Sequence, residues 1–140
     1  MTPKQIALVQ DSWKKVLTIS DAAAAMFYTR LFALDPSLRS MFKGDMAEQG
    51  RKLMSMITVA VNGLSRIETL VPAIEAMGRR HAGYGVQDRH YLTVAEALIW
   101  TLVQGLGEQF TDETRQAWIE AYGLLATTMQ RGAAPQAKAA

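Results

Sequence analysis

Apolar residues in this 140-residue chain recur at steps of three and four, and nowhere do they alternate. A period near 3.6 builds one-sided helices, and without a period of two there is no strand to predict. Each long segment is therefore a helix that must bury one stripe against its neighbours. The fold class that follows is all-α.

The punctuation between helices is explicit. Thr2-Pro3-Lys4-Gln5 combines an N-cap, a proline at N1 and a capping-box partner at N3. Ile6, Val9, Trp13 and Val16 then form the first apolar stripe. A polar break at Thr18 to Asp21 precedes a second helix over about Ala22 to Leu34, with Ala24, Phe27, Tyr28, Leu31 and Phe32 inward. Asp35-Pro36 stops it and starts a short turn of helix that ends near Met41-Phe42. After the corner Lys43-Gly44, Asp45 caps a long helix to about Ser65, with Gln49, Leu53, Met56, Ile57, Ala60 and Leu64 on one side.

The next stripe is Leu70, Ile74, Met77 and His81, with Pro72 in the first turn and glycines at Gly83 and Gly85 beyond. Asp88 reads as the following N-cap, and Tyr91, Val94, Ala95, Leu98 and Leu102 line a helix that fades at Gly105 and Gly107. Thr111 caps the last helix, with Asp112 and Glu113 at its positive end and Trp118, Tyr122, Leu125 and Met129 inward. The count is six sizeable helices and one short one in a single domain, with a frayed tail expected from Gly132.

Charge and composition exclude several classes. The net charge is +2 and no basic stripe is interleaved with aromatics, so nucleic acid is not expected. No apolar run reaches membrane-span length, and the N-terminus lacks a secretory h-region. The absence of cysteine fits a reducing cytoplasm and removes thiolate metal sites. Zinc-protease, esterase and P-loop signatures are missing. What remains to explain is His81, at the end of an apolar stripe. From periodicity alone it is as well read as core filler as a ligand; its ring can donate to the carbonyl one turn back, at Met77, and aim the other nitrogen inward. His90, beside the next helix start and off its apolar face, reads as surface. Arg79 has a helix-face partner in Glu75, four residues before it.

Trp13, the Asp35-Pro36 break, Phe42 in the following corner, and His81 ahead of a glycine corner together resemble a globin. The resemblance runs from about Thr2 to Arg131. Within that family the pattern is similar to single-domain bacterial globins, the globin half of flavohaemoglobins, and neuroglobin. Tyr28-Thr29-Arg30-Leu31-Phe32-Ala33-Leu34-Asp35-Pro36 is similar to their B helix and BC junction. Gly78-Arg79-Arg80-His81 with Tyr84-Gly85-Val86 is similar to their F helix and FG corner, and Ala117-Trp118 with Ala121-Tyr122-Gly123 to their H helix. The resemblance implies a globin fold with long A, B, E, F, G and H helices, a short C helix and no D helix. It implies a globin domain over 1–131 and a disordered tail over 132–140.

The same resemblance implies haem b as cofactor, with His81 as the proximal iron ligand. It puts Phe42, Leu53, Met77, Val86, Tyr91, Val94 and Leu98 around the porphyrin and Lys52 near a propionate. Tyr28 and Gln49 fall on distal positions, both hydrogen-bond donors, with Ala24 and Gly50 small enough to let their helices cross closely. Glutamine stands where neuroglobin has its distal histidine, so bis-histidine ligation is not expected. The implied function is reversible, high-affinity binding of O₂, with CO and NO as further ligands. The alternative is NO dioxygenation with a separate reductase, since the sequence ends without a reductase segment and without the late H-helix glutamate of flavohaemoglobins. A gas sensor or a haem-free interaction module is the remaining reading.

Overall fold

The computed structural model describes residues 1–134. Among them all regular structure is helical: α1 (Pro3–Leu17), α2 (Ser20–Leu34), α3 (Met46–Asn62), α4 (Val71–Gly83), α5 (Asp88–Leu106) and α6 (Asp112–Ala133). Three short 3-10 helices join them, at Pro36–Met41, Leu64–Thr69 and Gly107–Gln109. The first is the short helix expected after Asp35-Pro36. The second follows the Gly63 cap of α3, and the third starts at Gly107, whose φ of +57° ends α5.

Local chemistry sets the starts. The Thr2 hydroxyl accepts from the Gln5 N–H at 3.1 Å, and the Gln5 side chain accepts from the Thr2 N–H at 3.0 Å. Asp45 accepts from the Ala47 N–H, and Thr111 from the Thr114 N–H. Two boundaries differ from expectation. α3 stops at Asn62 rather than Ser65, because Gly63 caps it and Arg66 leaves helical geometry. The cap of α5 is Gln87 in extended backbone, and Asp88 is already helical.

Val9, Leu31, Leu102, Ala117 and Ala121 form the centre of the core. Trp13 and Trp118 meet there with ring centroids 5.8 Å apart. Their indole N–H groups are satisfied, Trp118 donating to Ser12 Oγ at 2.8 Å and Trp13 to Thr58 Oγ1 at 2.9 Å. Buried indoles without such partners would cost stability. α1 and α4 lie on α6, α2 lies on α5, and α2 crosses α3. α3 and α4 share no interface of comparable extent. Apolar side chains on both of them, Leu53 and Met77, stay half-buried.

α6 runs two residues past Arg131, through the start of the expected tail. Gly132 is buried, because it packs on the backbone of α4 at Glu75. The remainder of that expectation falls on 135–140, outside the described residues.

Candidate functional site

α4 carries the half-buried His81 near its C-terminal end. The ring Nδ1–H donates to the Met77 carbonyl at 2.8 Å, the bond expected from the one-turn spacing. A carbonyl only accepts, so this bond fixes the tautomer and leaves Nε2 without a proton. Nε2 makes no hydrogen bond among the described residues. The corner beyond is tied to the same residue, since the Tyr84 and Val86 N–H groups both donate to the His81 carbonyl at 3.0 Å. Gly85, at φ +96°, supplies the left-handed step this return needs. The exposed Tyr84 ring lies 6.1 Å from the imidazole, tilted by 59°.

Tyr28 and Gln49 come together where α2 crosses α3. A Cβ added at Gly50 would stand 2.9 Å from Ala24 Cβ, so the small residues at this crossing do allow close approach. One turn after Ala24, Tyr28 is 8 % exposed, and its hydroxyl donates to the Gln49 carbonyl at 3.5 Å. That is the weak end of hydrogen-bond geometry, and a better-placed acceptor would compete for the proton. Burial pushes the Tyr28 hydroxyl up to about 12, so it stays a neutral donor through the physiological range. The Gln49 side-chain amide is half-buried and makes no hydrogen bond among the described residues.

Aromatic rings fix the tyrosine. Phe42 meets it edge-on at 5.2 Å and Phe32 stacks with it at 5.9 Å. Phe32 and Phe42 are themselves 5.5 Å apart. Phe32 was named only as a core residue of its helix; its four-residue step from Tyr28 was the signal that it belongs to this cluster.

The family model described as Globin matches residues 25–129. The chain belongs to the globin family. Among its relatives, neuroglobin of Danio rerio is 31 % identical, over 94 % of this chain and 92 % of that protein. Neuroglobin-1 of Oncorhynchus mykiss is 27 % identical with the same coverage. Among solved structures, a carbene transferase engineered from a proposed nitric oxide dioxygenase of Rhodothermus marinus has TM-score 0.83 and 31 % identity, covering 95 % of this chain and 93 % of that one. A hexacoordinated haem protein from an anhydrobiotic tardigrade has TM-score 0.85 at 16 % identity, covering 95 % of each chain, a likeness of fold.

The residues of this globin fit a haem. Among those described, no group of three or more His, Cys, Asp and Glu is arranged to hold a bare metal ion. A haem brings four of its own nitrogens and needs a single imidazole, with apolar walls on both faces. His81 with a free Nε2, the half-buried Phe42, Leu53, Met77, Val86 and Val94, and the buried Leu98 supply that set.

Other candidates sit less centrally. Lys52 is exposed at the edge, 4.0 Å from Glu48 on its own helix. Tyr91 is half-buried and lines, with Leu98, Leu92, Ile119 and Tyr122, a groove of about 270 Å³ between α5 and α6. Its carbonyl accepts from the Tyr122 hydroxyl at 2.7 Å. Burial raises both phenols, Tyr122 more strongly; the charge of Asp88 adds to the rise at Tyr91, and that of Tyr91 to the rise at Tyr122.

Two readings are corrected. His90 is not at the surface; it is 3 % exposed, and its Nδ1 accepts from the Gln87 N–H at 2.9 Å. His90 stands four residues before Val94 and eight before the buried Leu98, so it shares the inward face of α5. The His90 Nε2–H is left buried without a partner among the described residues. Glu75 does not serve Arg79: α6 brings Arg131 Nε to within 3.1 Å of it. A further residue pair, Gly78 with Gly132, was not singled out, although a glycine inside a helix costs about 1 kcal/mol and marks a close approach.

Proposed function

We propose that this globin binds O₂ reversibly and tightly on a haem b held by His81, with Tyr28 as the principal distal donor. What supports this reading is the contrast between the two sides it would set around a haem, α4 with His81 and the α2–α3 crossing with Tyr28. On one, an imidazole is locked by its Nδ1–H with Nε2 free. On the other, a buried neutral phenol is only loosely engaged at 3.5 Å. A bound haem supplies an iron that takes O₂, CO or NO as ligand. Leu53, Phe42, Met77, Val86, Val94, Leu98 and Tyr91 exclude water around it, and Lys52 offers a cation to a propionate.

Dioxygen held on the distal side carries partial negative charge, and a donor aimed at it retains it. Such a bond contributes about 1.5–3 kcal/mol. Tyr28→Phe keeps the ring and its aromatic contacts and deletes the donor, so O₂ should dissociate about ten- to a hundredfold faster. Gln49→Leu should do less, because the half-exposed amide can turn to water. CO, with less charge on its outer atom, should respond weakly to both. Stopped-flow O₂ and CO dissociation measures this, and an unchanged O₂ off-rate in Tyr28→Phe would remove the mechanism.

A second reading is NO dioxygenation, in which NO, O₂ and one electron give nitrate. It is favoured by the likeness to the protein derived from a proposed nitric oxide dioxygenase. It requires a separate reductase as electron source. Nitrate formation at a catalytic rate with an added reductase separates the two.

A further inference from the structure

α4 and α6 run antiparallel and meet backbone to backbone. A Cβ added at Gly78 would stand 2.6 Å from the Met129 carbonyl carbon and closer still to its oxygen. One added at Gly132 would stand 2.6 Å from the Glu75 carbonyl carbon, and again closer to the oxygen. Real Cβ atoms do not approach so near, and backbone cannot swing aside as a side chain can. The pairing is reciprocal: position 75 faces 132, position 78 faces 129, with the same three-residue step on each helix. Arg131 Nε to Glu75 Oε2 at 3.1 Å closes the same crossing from outside.

This interlock sits directly under the imidazole. Met77, whose carbonyl holds the His81 Nδ1–H, precedes Gly78, and His81 follows it by three residues, less than one turn. A helix fixed at Gly78 by backbone contact has little freedom to roll or slide. We infer that Gly78 and Gly132 are positioning residues: through their interlock, the last turns of α6 set the height and rotation of the His81 ring. Neither glycine touches the ligand. The inference rests on the reading of His81 as proximal ligand.

Alanine at each position tests it, with Gly123→Ala on α6 as control, since nothing lies within 4 Å of a Cβ there. The readouts are the iron–histidine stretching band of the ferrous haem-loaded protein and the thermal midpoint of the haem-free chain. Gly123→Ala should leave the band in place and hold or raise the midpoint. Gly78→Ala and Gly132→Ala should displace or split the band and lower the midpoint by on the order of 10 °C. Arg131→Gln, which loosens the crossing without a clash, should shift the band less and keeps the test open if the alanine variants do not fold. A lowered midpoint with an unmoved band in the glycine variants, or an unmoved band in Arg131→Gln where those do not fold, would overturn the inference. A band absent from the wild-type protein, or one that survives His81→Ala, would instead overturn the ligand assignment beneath it.

Discussion

The two walls proposed for the haem, α4 with His81 and the α2–α3 crossing with Tyr28, rest on helix crossings that differ in how closely they meet. The α2–α3 crossing under Tyr28 meets through a side chain, Gly50 against the methyl of Ala24 at 2.9 Å for an added Cβ. The α4–α6 crossing under His81 meets through main chain, where any Cβ runs into a carbonyl. An added Cβ forces a shift at either crossing, smaller at Gly50, where it would stand 2.9 Å from a methyl, than at Gly78 or Gly132, where carbonyl atoms stand within 2.6 Å.

The largest effect should come from taking away what lies between the walls. Haem binds the native state alone and stabilises it by mass action, about 4 kcal/mol at a thousandfold excess over its dissociation constant. The haem-free chain should melt at a lower temperature, and hydrogen exchange should rise first in the part of α4 nearest His81. Equal midpoints for the two forms would contradict haem binding between these walls.

The contrast between crossings sharpens next. Gly50→Ala gains about 1 kcal/mol in helix propensity and loses a similar amount to the contact with Ala24. Its stability by urea denaturation should stay within about 1 kcal/mol of wild type. If Gly50→Ala proved as costly as Gly132→Ala, the two crossings would not differ in kind.

Alkaline titration should give the smallest effect, confined to the distal wall. The Tyr28 hydroxyl, near 10.0 in the unfolded chain, is raised to about 12 in the fold. Folding therefore favours its protonated form. That contribution is complete below pH 10 and is lost as pH rises through about 12. Denaturation midpoints should fall less steeply above pH 10 in Tyr28→Phe than in wild type. Identical slopes would mean that the phenol is not buried as described.

What could be read from the sequence was what is decided locally. Thr2, Asp45 and Thr111 cap helices through bonds spanning two or three residues, and the spacing alone announces them. Tyr28, Ala24 and His81 lie on stripes whose period places them, and Met77 is one turn from the ring it holds. Contacts made by distant segments left no such mark. Gly132 sits in a run of Gly, Ala and Pro that reads as a tail until α4 is known to cross it. Glu75 had a partner at the right helix spacing in Arg79 and a better one 56 residues away in Arg131. His90, by contrast, was legible from the period itself: it stands seven and eight residues before Ala97 and Leu98, both buried, and so shares the inward face of α5.

The central claim is that His81, and not the buried His90, holds the haem of this globin. It is tested by the visible absorption spectra of the ferrous wild-type protein, His81→Ala and His90→Ala, each loaded with one equivalent of haem. His90→Ala loses a buried cap contact and should be less stable, yet keep the wild-type spectrum. His81→Ala should lose the spectrum of an imidazole-ligated haem and regain it when free imidazole is added. An unaltered spectrum in His81→Ala, with loss in His90→Ala, would contradict the account.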